Sequence, residues 1–355
     1  MHQNNIKEIG SEFHYVDIRM DKQNELFSFR KKDEVFTFSG RTAIETVLKN
    51  VKYVKKALLP SYCCQAMIEP FRKAHIQIDF YDVYFDDELI IDIKPFEDVD
   101  LILWCNYFGF INKTPDFHEF INRGGILVED ITHSLLSKKQ YHNDSSYAIA
   151  SLRKWFPLIS GGYCFSMHND IKEKPIIEVP EVFIESKKEA MLEKSKYLKN
   201  GSEITKESYL KKFSDVNSWL ANNYSNMKID YISEKIINNI DISYITNKRK
   251  NNAKSIYKYL KLIKNIKPLF DEHYMDCPLF VPIIFEDKEK RDLVRNELIK
   301  EKIYCPIHWP KPNDQCQSNL YDLELSLVCD QRYDKNDIDR MMKILSNICL
   351  ERMTL

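Results

Sequence analysis

Between residues 40 and 170 the apolar positions follow two alternating rhythms. Short, nearly unbroken apolar runs recur at Lys56–Leu59, Ile76–Tyr81, Asp100–Cys105 and Ile126–Val128. Between them lie stretches of about ten residues with apolar positions three and four apart. The first kind reads as strand and the second as helix. Helices are expected from Thr42 to Val51, from Gln65 to His75, and from Pro115 to Asn122 ahead of Gly124 and Gly125. Pro60 is expected to stop its strand. Alternation at Glu34–Phe38 predicts a further strand, and Tyr147–Ala150 and Tyr163–Phe165 predict two short ones. Runs without strict alternation belong to a sheet covered on both faces. The fold class that follows is α/β, with a mostly parallel, doubly wound sheet. Ligands of such sheets sit beyond the carboxyl ends of the strands.

The rhythm then changes. From Glu185 to Lys264 the spacing is helical throughout. Leu279–Phe285 predicts a strand, Asp287–Glu301 a helix, Ser326–Cys329 a strand, and Asn336 opens a last helix to Leu350. A large domain is expected over residues 1–245 and a small α+β C-terminal domain over 246–355, with the boundary inside a helix.

Composition narrows the function. In 355 residues, 52 Lys and Arg face 53 Asp and Glu, which provides no field to gather nucleic acid or an anionic membrane. Met1–Asn5 lacks the apolar run of a signal peptide, and no apolar run is long enough to span a bilayer. A cytoplasmic protein without membrane insertion is expected. The nine cysteines show no CxxC spacing, so they read as reduced thiols, with no metal site implied.

Six of only eight glycines fall between residues 40 and 162, where strand-to-helix turns build α/β ligand sites. Three segments there carry chemistry. Ser39-Gly40-Arg41-Thr42 leads into a helix, either as a cap or as a cradle whose free N–H groups bind phosphate. Asp130 ends an apolar strand, with His133 three residues on; the acid can pair with a cationic ring nitrogen or cap the next turn. Lys154 follows another strand among Trp155 and Phe156, where desolvation makes an amine nucleophilic toward aldehydes. A lysine, an acid and a phosphate cradle on consecutive strand ends are what pyridoxal 5′-phosphate (PLP) requires.

These residues resemble the DegT/DnrJ/EryC1/StrS family of PLP aminotransferases, of fold type I. Ser39–Ala43 is similar to its phosphate turn, Leu59-Pro60-Ser61-Tyr62 to the segment that sets a residue on the cofactor ring, and Tyr107-Phe108-Gly109 to its strand-end glycine. Asp130 with His133 is similar to its Asp-x-x-Gln/His element, and Lys154 with Gly161-Gly162 to its Schiff-base lysine and glycine pair. Pro306-Ile307-His308-Trp309 is similar to its segment at the active-site mouth. The resemblance implies a homodimer with shared active sites. It also implies transfer of an amino group from a donor such as glutamate to a nucleotide-linked keto-sugar acceptor, in polysaccharide or cell-surface glycan synthesis. Lys154 is then catalytic, and Asp130, His133, Gly40, Arg41, Thr42, Tyr62 and Ser151 contact the cofactor. Ser151-Leu152-Arg153-Lys154 is more compact than the family's Ser-Phe-x-x-x-Lys. His308 and Arg332 are candidates for substrate, Arg332 equally for a structural ion pair. A PLP lyase or dehydratase, or a non-catalytic regulator on the same fold, are the competing readings.

Overall fold

The computed structural model of the chain describes residues 7–16, 31–93, 98–138, 145–201, 203–313 and 316–352; Met1–Asn5, read above for a leader, lies outside them. A two-residue strand, β1 (Ile9–Gly10), comes first. Eight strands then build one sheet: β2 (Asp33–Thr37), β3 (Lys56–Pro60), β4 (Gln77–Asp86), β5 (Glu88–Asp92), β6 (Leu101–Cys105), β7 (Ile126–Asp130), β8 (Tyr147–Ser151) and β9 (Gly162–Ser166). Their order is β2-β9-β8-β7-β6-β3-β4-β5. Strands β4, β3, β6, β7 and β8 run parallel; β5, β9 and β2 are each antiparallel to their neighbours. The order reverses at β3, which has β4 on one side and β6 on the other. That reversal opens a crevice beyond the carboxyl ends of the strands.

Helices α1 (Gly40–Asn50), α2 (Gln65–Lys73) and α3 (His118–Asn122) connect these strands. Helix α1 starts two residues before the expected Thr42, because Ser39 is its cap and accepts a bond from Thr42 N at 3.3 Å. Pro60 is the last residue of β3, paired with Tyr81 of β4, so the strand ends on it rather than one residue before. Helix α3 forms only from His118, not from Pro115. Strand β4 continues past the expected Tyr81 and turns back at Asp87 (φ 57°) into β5. This hairpin is half exposed, and its short apolar triplets, Val83–Phe85 and Leu89–Ile91, are set among Asp82, Asp86, Asp87 and Asp92.

Four helices follow: α4 (Glu181–Asn200), α5 (Glu203–Asn222), α6 (Tyr231–Ile237) and α7 (Ile242–Leu260). A three-stranded antiparallel sheet of β10 (Lys267–Pro268), β11 (Phe280–Ile284) and β13 (Glu324–Val328) comes next. It carries α8 (Lys288–Lys300), α9 (Leu320–Leu323) and α10 (Lys335–Arg352). The remaining strand, β12 (Ile303–Tyr304), pairs in parallel with β1, so the N-terminal segment joins the C-terminal unit.

One apolar cluster runs from Leu59, Leu103 and Trp104 in the large sheet to Val281, Leu325 and Leu345 in the C-terminal unit. A second, with Trp155 and Phe156, lies under β8 and β9, and a third ties Phe38 and Ile159 to Phe183 and Phe213 of α4 and α5. The two sheets meet at Gly109, which has φ 81° and sits so close to the facing chain that a Cβ would lie 1.9 Å from Cys277 O. Cys277 N donates to Gly109 O (3.1 Å) and Leu279 N to Phe108 O (2.9 Å). The nine cysteines are free thiols, and among the described residues no helix is long and apolar enough to cross a membrane.

Candidate active site

Strand register brings Cys105, Asp130 and Ile149 side by side at the carboxyl ends of β6, β7 and β8. All three border a cavity of about 130 Å³. Ser39, Gly40 and Arg41 at the start of α1 form one wall, and Cys64 and Met67 at the start of α2 another. Chain packing fixes the first wall tightly. A Cβ on Gly162 would lie 2.1 Å from Ser39 O, so only glycine lets β9 pass beneath the cap of α1.

Lys154 closes a single 3-10 turn, Leu152–Lys154, directly after β8. Its Nζ lies 3.3 Å from His133 Nε2 and 5.3 Å from the centre of the Trp309 ring. His133 is buried, stacked on Trp309 (5.3 Å, 29°), and packed edgewise on His308 at 5.3 Å. Thr132 ties the corner together. Its N–H donates to Asp130 Oδ1 (2.8 Å), its hydroxyl accepts from Ser151 N (3.0 Å), and its carbonyl accepts from Trp155 Nε1 (2.6 Å). Gln331 of the C-terminal unit bonds Trp155 O at 2.7 Å.

Burial pushes the Asp130 carboxyl above the usual carboxylate range, against the hydrogen bonds from Thr132 and the nearby charge of Lys154. Burial also pushes His133 well below the usual imidazole range, with Lys154 and His308 adding to it. His308 is lowered by burial too, partly offset by Glu324. Both histidines are therefore neutral near pH 7. Two buried atoms on this corner have no hydrogen-bond partner among the described residues: His133 Nδ1 and Arg153 Nε.

Lys154, Asp130, His133, Gly40, Arg41 and Ser151 thus meet at one cavity, as the sequence indicated. Two of the expected cofactor contacts do not. Thr42 lies within α1, fully buried, and its hydroxyl donates to Tyr224 O at 2.8 Å. The Tyr62 ring is fully buried among Tyr107, Trp309 and Tyr321, with its hydroxyl toward Glu324 Oε2 at 3.5 Å. Cys64, two residues on, faces the cavity instead. Arg41 bonds Glu69 through Nε (3.0 Å) while bordering the cavity.

A second cavity of about 410 Å³ adjoins Lys154 on the side of the C-terminal unit. His308 and Arg332 border it, as does the segment Gly10–Phe13. His308 is held by Glu324, which accepts its backbone N–H (2.8 Å), and by Ser326 Oγ at 2.8 Å from Nδ1. Arg332 directs its donors at Asp330 (2.7 Å) and at the carbonyls of Ser11 and Glu12. That geometry holds the N-terminal segment in place. Trp309 and Arg153 are site residues that the sequence did not single out. Trp309 had no signal beyond following His308, and Arg153 none beyond preceding Lys154.

No protein-family profile and no curated protein matches this sequence. Solved structures match in shape. The apo form of Spr1654 from Streptococcus pneumoniae, a sugar aminotransferase by assignment, gives a TM-score of 0.63 at 14% identity over 97% of this chain and 93% of that one. DesV from S. venezuelae, in complex with a ketimine intermediate, gives 0.59 at 14% identity over 92% and 88%. DesI in the presence of its TDP-sugar product gives 0.58 at 12% identity over 90% and 81%. The chain has the fold of these structures, a fold type I α/β architecture built on a large, mostly parallel sheet.

Proposed function

We propose that this chain is a PLP-dependent aminotransferase of the DegT/DnrJ/EryC1/StrS type. It moves an amino group from glutamate or a similar donor to a nucleotide-linked keto sugar, in cytoplasmic synthesis of a polysaccharide or cell-surface glycan. The observation that carries this reading is the meeting of Lys154, Asp130 and the start of α1 at one strand-end cavity. The likeness to Spr1654, DesV and DesI supports it, since those structures involve a PLP form, a ketimine intermediate and a TDP-sugar.

The residues fit the cofactor. A buried acid whose affinity for its proton is raised gains from a cationic ring N–H, which restores its ordinary ionisation. Nδ1 of buried His133 and Nε of Arg153, without hydrogen-bond partners among the described residues, suit a polar ligand in this cavity. When bound, PLP supplies an electron sink for the carbon that bears the amine. Asp130 keeps the ring nitrogen protonated. Lys154 is the residue that would hold the cofactor, and its amine would carry a proton to and from the reacting carbon. His133, held neutral, takes a hydrogen bond from the Lys154 amine without placing a second positive charge beside it. Trp309 stacks on His133, and its ring centre lies 5.3 Å from that amine. Gly40, Arg41 and Ser151, which border the cavity, would hold the phosphate. The larger cavity beside Lys154 receives the substrates, with His308 on its wall and Arg332 anchoring the Gly10–Phe13 segment that lines it.

Residues 1–245 form the large domain of this enzyme and 246–355 the small one, with Ile9–Gly10 contributed across the boundary. The working unit is a homodimer with shared sites. The test is reduction of PLP-loaded protein with borohydride and mass spectrometry of its peptides. The modification is expected on Lys154, along with conversion to the pyridoxamine form by glutamate. Modification of another lysine, or a protein that takes up no PLP, overturns the reading. Full loading without reaction toward any amino donor overturns the transferase assignment.

A further inference from the structure

Arg153 is the cation of this site that the protein leaves unsatisfied. It stands in the single turn after β8, immediately before Lys154. Its Nε is buried without a hydrogen-bond partner among the described residues. Its side chain borders both cavities, the smaller one together with Arg41. The Arg41 guanidinium lies close enough to repel it, and Glu12 is the carboxylate close enough to attract it. Glu12 is already engaged by Lys187 (3.3 Å) and Asn217 (2.9 Å). Other buried arginines nearby are matched. Arg332 pairs with Asp330, and Arg249 donates to Gln331 (3.0 Å) and Leu279 O (2.9 Å). Two guanidinium groups facing one cavity repel each other until an anion lies between them.

We infer that Arg153, assisted by Arg41, is the charge partner of the cofactor's phosphate. This rests on the reading of the cavity as a PLP site. A substrate diphosphate carries the same oxygens and would reach Arg153 from the larger cavity. The cofactor is favoured because Ser39, Gly40 and Ser151 border the smaller cavity and not the larger. They pack so closely that a Cβ on Gly40 would lie 3.2 Å from Ser151 Cβ, which makes a floor for a small, compact anion.

The experiment titrates apo-protein with PLP and with pyridoxal, which lacks the phosphate, following absorbance and fluorescence. Arg153→Gln is expected to weaken PLP roughly 10- to 100-fold, the weight of a charge-assisted contact, and to leave pyridoxal within about threefold. Arg153→Lys, which keeps the charge but not the fork, is expected to fall between wild type and Gln. It carries the same comparison if the Gln variant does not fold. Equal loss of PLP and pyridoxal overturns the inference in favour of a structural role. Unchanged PLP affinity with weakened uridine diphosphate binding overturns it in favour of the substrate's phosphates. In both cases wild type still binds PLP, so the cofactor reading survives. A wild type that binds neither PLP nor pyridoxal overturns both.

Discussion

Replacing Asp130 by Asn is expected to act with opposite sign on the cofactor-free and cofactor-loaded protein. Asp130 is 5% exposed, and its hydrogen-bond partner in the protein is Thr132, through N–H at 2.8 Å. Burial dominates its ionisation and raises its pKa, so above the carboxylate range the folded state carries an under-compensated charge. By linkage, a raised folded-state pKa subtracts stability as pH climbs past it. Asn keeps an acceptor for Thr132 N and removes that charge. Apo Asp130→Asn is therefore expected to match wild type or gain up to about 2 kcal/mol at pH 8, measured by urea unfolding. In the loaded protein the same change removes the negative charge that holds the ring nitrogen protonated. Loss of one preorganised charge partner costs on the order of 10²–10³ in rate. The glutamate half-reaction, followed by stopped-flow absorbance in single turnover, is expected to slow by that factor. Two results refute the reasoning: apo Asp130→Asn destabilised by more than about 2 kcal/mol, which makes the acid structural, or a half-reaction within about threefold of wild type.

The buried histidines make a second prediction. The pKa values of His133 and His308 lie below the unfolded value near 6.5, and His14 is lowered to about 4 by burial, with Arg332 adding to it. The unfolded chain takes up protons first, so apo stability is present above pH 6.5 and lost on acidification by up to about 1.4 kcal/mol per pH unit for each histidine. His133→Asn and His308→Asn are expected to flatten unfolding free energy between pH 7 and 5, and an unchanged slope refutes this. Gly162→Ala drives a Cβ into Ser39 O and is expected to cost about 3 kcal/mol or more and to lower PLP affinity, since the cap of α1 must shift. Calorimetry and a PLP titration check both, and normal stability refutes the steric account. Arg332→Met leaves buried Asp330 unpaired and is expected to cost about 3–5 kcal/mol. Limited proteolysis should then cut within residues 10–13 first, and protection equal to wild type refutes the anchoring role.

The sequence showed Asp130 and Lys154 clearly because each ends an apolar run, and position at a strand end is set by local pattern alone. The crossing order of the sheet then places consecutive strand ends around one crevice. Positions whose role depends on the direction of a side chain within a turn were less legible. Thr42 is the kind of residue that binds phosphate, yet the helix begins two residues before it and its hydroxyl points at Tyr224 O. Tyr62 follows a strand, as a ring-stacking residue would, but the pocket made by Tyr107, Trp309 and Tyr321 takes its ring away from the cavity. The β4–β5 hairpin was missed for another reason: its apolar triplets, Val83–Phe85 and Leu89–Ile91, are short and set between acidic residues on a half-exposed edge.

Trp309 was least legible of all, because it reaches Lys154 from 155 residues further along the chain. Three features bring it there, and none lies near Lys154 in the sequence. Gly109 allows Cys277 to approach the end of β6, Phe108 O receives Leu279 N, and Glu324 and Ser326 of β13 fix His308 beside it. Each is a contact between the large sheet and the C-terminal unit or a bond within that unit. The face of the site that positions Lys154 against Asp130 therefore belongs to the large sheet. The face that covers the Lys154 amine, stacked through His133 on Trp309, is supplied by the C-terminal unit. On the proposed function, chemistry common to many acceptors belongs to the first face, and selection of a particular acceptor to the place where the second meets the larger cavity. Substitutions at Asp130 should therefore slow reaction with every amino donor and acceptor alike, whereas substitutions at Trp309 and His308 should change which acceptor is used.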